Sequence, residues 1–272
     1  MDTVLLLDVG NTNVKIGLAR PGHGLLGSYA LPTAPAGSLG TADAWGLALL
    51  DICRVEGVDP GQVTDLVASS VVPPMNPVLT RAAERFFGRP GQSIRFVPED
   101  IPLAIENRYA RPQEVGADRL VTAYGARAIS SAQTLIVVDF GTATTFDCVQ
   151  GNAYLGGLIC PGVLSSARAL ATGTAKLPHI TLEIDPALRD GGLRIGTSTA
   201  DSLNQGLIFG FAAMVEGLAQ RLAQTLGAEK GETRVIATGG FARAIAAVCP
   251  AIDEVREGLL LDGLFLAWKS AR

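Results

Sequence analysis

One segment of this chain occurs twice. Leu5-Leu6-Leu7-Asp8-Val9-Gly10-Asn11-Thr12 is echoed by Ile136-Val137-Val138-Asp139-Phe140-Gly141-Thr142-Ala143, with the two aspartates 131 residues apart. Each copy is an apolar run ending in Asp-x-Gly and small polar residues, the pattern of a buried strand that enters a tight turn. In each copy a second strand follows, at residues 13–19 and 144–149, and then a third, at 25–31 and 153–160. Such a succession predicts a duplicated domain with the boundary near a helix over 115–129. The two halves are read as 1–120 and 121–272.

Between the strands lie helical patterns at 42–55 and 78–87, with a β-rich stretch at 63–72 and the breaker Pro73-Pro74 between them. In the second half, Pro161-Gly162 starts a helix. Ser198 is placed to cap a long helix from 199 to 226, which Gly206, Gly210 and Gly217 would break or pack closely. A strand over 234–237 runs through Thr238-Gly239-Gly240 into a helix over 241–248, and a last helix covers 259–269. Strands alternating with helices give an α/β chain.

With 272 residues, 48% hydrophobic and 18% charged, the chain can fill large cores, which excludes disorder as its main state. A net charge of -4 without a basic run argues against nucleic acid or an anionic membrane as partner. The mean hydropathy is +0.31, yet Gly, Asp or Arg interrupts each apolar stretch before the roughly 18 to 20 residues of a span, so the excess is assigned to buried strands. No basic leader precedes residues 4–7, which places the protein in the cytoplasm. Cys53, Cys148, Cys160 and Cys249 lie far apart without C-x-x-C and read as reduced thiols. His23 and His179 are the only histidines, too few for His-based metal sites or Ser-His-Asp triads. Chemistry must therefore rest on carboxylates, backbone amides and arginine.

No G-x-x-x-x-G-K-[ST] occurs, and no glycine pair has the dinucleotide-binding context. What remains is phosphate binding by hairpins. In Asp8-Val9-Gly10-Asn11-Thr12 a strand ends in a carboxylate, the glycine turns the backbone, and N–H and hydroxyl donors can face phosphate oxygens. Asp8 suits Mg²⁺, directly or through water, because that ion uses few carboxylates. An ordinary β-turn would use the same residues, and a second such hairpin tips the balance toward a phosphate grip. Gly239 and Gly240 leave room for an adenosine against the backbone at a strand-to-helix junction. Asp118, in Gly116-Ala117-Asp118-Arg119 at a helix start, can accept a hydroxyl proton, or can simply oppose the helix dipole. Arg119 offers bidentate contacts to phosphate or carboxylate oxygens. Lys15 is left outside the site as a solvated strand-face lysine.

These motifs together resemble the actin-like ATPase and sugar kinase superfamily, and in their order and spacing they resemble the type III pantothenate kinase family over nearly the whole chain. The resemblance implies two duplicated RNase H-like domains with a nucleotide cleft between them, and transfer of the ATP γ-phosphoryl group to the primary hydroxyl of pantothenate, the first step of coenzyme A synthesis. It implies Asp118 as general base, and ATP or phosphate contacts from Asp8, Gly10, Asn11, Thr12, Thr142, Gly239 and Gly240. Pantothenate contacts are implied for Tyr109, Gly116, Ala117, Asp118 and Arg119, and for Thr199, reaching from the partner subunit of a homodimer. Asp139 is implied as ligand of a monovalent cation, K⁺ or NH₄⁺, beside Mg²⁺ carried with ATP. Thr197 stands where the family commonly has a basic residue. Two other functions use the same clamp: a non-catalytic ATP-binding regulator, and a kinase of another small hydroxyl or carboxyl acceptor.

Overall fold

The computed structural model describes residues 2–34, 38–88, 93–173, 177–178, 180, 192–228 and 231–272; His179 lies outside them. The chain divides into two compact units, Met1–Ile129 with Gly258–Arg272, and Ser130–Glu257. In chain order the first unit carries β1 (Thr3–Val9), β2 (Asn13–Arg20), β3 (Gly24–Pro32), α1 (Ala42–Val55), β4 (Val63–Ser70), α2 (Asn76–Phe87), β5 (Arg95–Phe96), β6 (Glu106–Asn107) and α3 (Ala117–Ile129). The second carries β7 (Thr134–Phe140), β8 (Ala143–Gln150), β9 (Ala153–Pro161), α4 (Val163–Thr172), α5 (Thr199–Thr225), β10 (Thr233–Gly239), α6 (Ala242–Ala246) and β11 (Glu254–Val255). The last helix, α7 (Leu259–Ser270), returns to the first unit.

The first sheet has the order β3-β2-β1-β4-β5, antiparallel from β3 to β1 and parallel from β1 to β5. The second unit's own strands repeat it as β9-β8-β7-β10-β11. The repetition extends to register. Asp8 stands opposite Lys15 and beside Ser69, as Asp139 stands opposite Thr145 and beside Thr238. Both sheets shift register at one matching place, between Leu18 and Ala19 and between Cys148 and Val149. A bulge kept in both copies is inherited geometry, since nothing in a strand pattern alone demands it.

Each central strand is buried on both faces, which is why β1 and β7 read as continuous apolar runs. Leu5, Leu7 and Val9 pack with Trp45, Leu49, Leu79 and Phe87 of α1 and α2. Val4 and Leu6 face the other way, onto Val121 of α3 and Leu260, Leu264 and Trp268 of α7. In the second unit Ile136, Val138 and Phe140 meet Ile208, Phe211 and Val215 of α5 and Ile245 of α6.

The duplicated α/β fold read from the sequence is present. The division at 120/121 would cut α3, whereas all of α3 clusters with the first unit because it packs on α7 and β4. Ser198 caps α5, accepting the Asp201 N–H. Gly206, Gly210 and Gly217 do not interrupt this helix; a Cβ at any of them would meet nothing within 4 Å. Contrary to the sequence reading that each apolar stretch stops short of a span, α5 reaches membrane-crossing length and composition. Its apolar face is nevertheless occupied, with Leu207, Ile208, Phe211 and Val215 buried in the second unit's core.

Candidate functional site

The first hairpin is held from two sides. Gly10 N–H donates to the Asn13 carbonyl at 3.1 Å, closing the turn, while Thr33 at the end of β3 donates its hydroxyl to the Gly10 carbonyl at 2.6 Å and its N–H to that of Thr12 at 3.0 Å. Asn11 and Thr12 are exposed at the tip, and Asp8 is buried behind it. Lys15 Nζ lies 3.9 Å from Asp8 Oδ2. Thr33 was missed in the sequence because one hydroxyl after Pro32 gives no periodic or motif signal. Lys15 reads in the sequence as a solvated strand-face lysine; its side chain is 40% exposed, yet it is paired with a carboxylate that is not.

Gly116 has no side chain for a local reason: Asp118 Oδ1 sits 2.4 Å from where its Cβ would be. The Asp118 carboxylate folds back over the start of α3 and accepts the Arg119 N–H at 2.8 Å. Burial pushes the Asp118 carboxyl above its usual range, opposed by that hydrogen bond and by the charges of Arg119 and Lys15. The carboxylate thus has the helix-start role of a first-turn acid and the raised proton affinity of a base. Upstream, half-buried Tyr109 is held by its backbone N–H, which donates to Asn107 Oδ1 at 3.0 Å.

In the second unit the structure brings Asp139, Gly141 and Gly239 together. A Cβ on Gly239 would fall 2.3 Å from Asp139 Oδ1, and Gly239 has φ of +89°. Thr142 at the hairpin tip is anchored through its carbonyl, which accepts the Ser165 hydroxyl at 2.8 Å, and Gly162 keeps the space beside that carbonyl. Gly240 is exposed. Along α6 and β11 a concavity of about 560 Å³ is lined by Arg243, Ala246, Ala247 and Val255, none of them singled out by the motifs. Thr199 is exposed at the first turn of α5, where Ser198 does the capping and Thr197 N–H donates to Asp201 Oδ2 at 3.3 Å.

Among the described residues no three His, Cys, Asp or Glu side chains gather into a metal cage. Single carboxylates such as Asp8 and Asp139 suit a cation that keeps most of its ligands from water or substrate oxygens. The four cysteines are free, and burial pushes the Cys53 thiol up to about 11, where it is inert at neutral pH.

A family model described as type III pantothenate kinase matches residues 4–221. A relative from Nitratidesulfovibrio vulgaris (strain DSM 19637 / Miyazaki F), named type III pantothenate kinase, is 55% identical over 265 residues, covering 97% of this chain and 96% of the relative. A protein of the same name from Myxococcus xanthus is 39% identical, with 96% of each chain covered. Among solved structures, a conserved putative Baf family transcriptional activator from Campylobacter jejuni superposes with a TM-score of 0.58 at 17% identity, covering 98% of both chains. A ROK family glucokinase from Streptomyces griseus, in complex with glucose and AMPPNP, gives 0.56 at 14% identity, covering 98% of this chain and 99% of its own. These two likenesses concern the fold alone.

Proposed function

Because this chain belongs to the type III pantothenate kinase family, we propose that Asp118 is the general base with which it passes the ATP γ-phosphoryl group to the primary hydroxyl of pantothenate. The chain is an ATP-dependent phosphotransferase, a pantothenate kinase of coenzyme A synthesis. One observation carries the choice of base: the Asp118 carboxylate is turned over Gly116 and its proton affinity is raised by burial. A carboxylate with that affinity takes the hydroxyl proton more readily as the phosphoryl group arrives. Asp118→Asn should lower kcat by roughly 10²-fold to 10⁴-fold with ATP binding intact, measured as pantothenate-dependent ADP release. An unchanged kcat would remove Asp118 from the role.

The remaining roles belong to the same proposal. Asp8 holds Mg²⁺, directly or through water, while Gly10, Asn11, Thr12, Thr142, Gly239 and Gly240 contact ATP. Tyr109, Gly116, Ala117 and Arg119 line the pantothenate site, with Arg119 supplying a planar fork for phosphate or carboxylate oxygens. Asp139 holds K⁺ or NH₄⁺. Bound, the two cations supply positive charge against phosphate oxygens during transfer. The rigid turn at Gly10, braced by Thr33, presents N–H and hydroxyl donors without reorganisation.

The kinase is further proposed to act in the cytoplasm as a homodimer, with Thr199 completing the partner subunit's pantothenate site. Of the eight exposed large apolar side chains among the described residues, five, Ile159, Leu164, Leu170, Leu193 and Ile195, fall in the second unit, and α5 offers the small residues Gly206, Gly210, Ala213 and Gly217 on an open side, both of which suit a second copy. Light scattering is expected to give twice the chain mass. A fully active monomer would refute the shared site.

A further inference from the structure

The two copies of the strand succession differ at one place that bears on Asp139. In the first, the residue opposite Asp8 is Lys15, whose ammonium lies 3.9 Å from Asp8 Oδ2 and is a built-in counter-cation. In the second, the residue opposite Asp139 is Thr145, which carries no charge. Two positions along the same strand, where the first copy has Gly17, the second has Asp147, and this carboxylate is 1% exposed.

Asp147 is bound by hydroxyl donors on both oxygens. Tyr154, itself fully buried, donates to Oδ1 at 2.9 Å, and Thr145 donates to Oδ2 at 3.2 Å. A threonine hydroxyl has a single proton, so its donation to Asp147 leaves only lone pairs for anything else it meets. Thr145 and Asp147 project from one face of β8, and Thr145 shares that face with Asp139 directly opposite, at a typical Cβ separation of about 5 Å. Beside the Asp139 carboxylate, Gly239 and Gly141 contribute no side-chain bulk. An ionised carboxylate and an oriented neutral oxygen are the hard donors that a small cation takes.

We propose that Thr145, oriented by Asp147 and Tyr154, is an oxygen ligand of the monovalent cation at Asp139, the exchangeable ion taking in the second unit the place that the Lys15 ammonium holds in the first. This rests on the assignment of a cation to Asp139. Asp147 and Tyr154 act through Thr145 and are positioning residues.

The test is thermal unfolding of the full chain without nucleotide, in KCl and in NaCl at equal ionic strength, beside ADP release in the same salts. The wild type is expected to unfold at a higher temperature in K⁺ than in Na⁺. Thr145→Val should abolish that difference and Thr145→Ser keep it. Tyr154→Phe should weaken apparent K⁺ affinity by roughly tenfold or more. Thr145→Lys should make both stability and ADP release indifferent to K⁺, since it restores a tethered ammonium. If the wild type shows the K⁺ difference, Asp139→Asn loses it and Thr145→Val keeps it in full, the role of Thr145 is overturned while Asp139 stands. If the wild type shows no difference between the salts, the cation at Asp139 falls, and this inference with it.

Discussion

At Asp118 the fold sets a carboxylate against its own solvation. Burial raises its proton affinity, so ionising it costs folding stability: its contribution is fully present below the ordinary value of 3.8 and is lost as pH rises through the higher folded value. Asp118→Asn should therefore be as stable as the wild type in acid and increasingly more stable toward neutral pH, a difference read from melting temperatures across a pH series. A stability gap that shrinks with pH would contradict the burial argument. Gly239 poses a second residue-scale case, since a side chain there meets Asp139 Oδ1 and the backbone must hold φ of +89°. Gly239→Ala should cost about 1–3 kcal/mol and weaken both ATP binding and any response to K⁺. The identities of Asp118, Asp139 and Gly239 were legible as motif members, because chemistry restricts which residue types can serve there. The back-folding of Asp118 over Gly116, the brace from Thr33 and the Asp147–Tyr154–Thr145 chain were not, because each depends on groups brought together by pairing between strands or by a turn's exact path.

Helix and strand limits followed from short-range pattern: α1 covers the 42–55 read from periodicity, and Ser198 caps α5 as its side chain allows. The two-residue strands β5, β6 and β11 carry too few residues for any period to show. Hairpin length also needed the structure, the first turn placing four residues between the paired Val9 and Val14 and the second three between Phe140 and Thr144. Between α3 and α7 the helices touch through glycines. A Cβ on Gly263 would lie 2.4 Å from the Val121 carbonyl, and one on Gly125 would lie 2.8 Å from the Leu259 carbonyl. Gly263→Ala is expected to destabilise the first unit by about 1–3 kcal/mol. Since α3 also begins with Asp118, kcat should fall with stability, and urea denaturation alongside steady-state kinetics would show both or sink the coupling.

On the scale of the molecule, α7 closes a unit whose first segment ends at Ile129, with the whole of the second unit, Ser130–Glu257, lying between them in the chain. It buries Leu260, Leu261, Leu264, Phe265 and Trp268 against Val4, Leu6 and Val67. At about 2 kcal/mol for each large side chain that is roughly 10 kcal/mol, as much as a whole domain's usual margin. Ending the chain at Glu257 should therefore unfold the first unit and abolish turnover, and circular dichroism showing a native melt for the shortened chain would refute it. By itself the sequence determined the repeated strand succession, the α/β class and the residue types able to handle phosphate, because strand periodicity, turn chemistry and carboxylate placement are local properties written in consecutive residues. Only the tertiary structure decided that the last helix belongs with the first strands, that both sheets share one bulge and one register, and that a lysine in one copy answers to a threonine in the other, because long-range burial and cross-strand pairing join residues whose separation in sequence carries no signal.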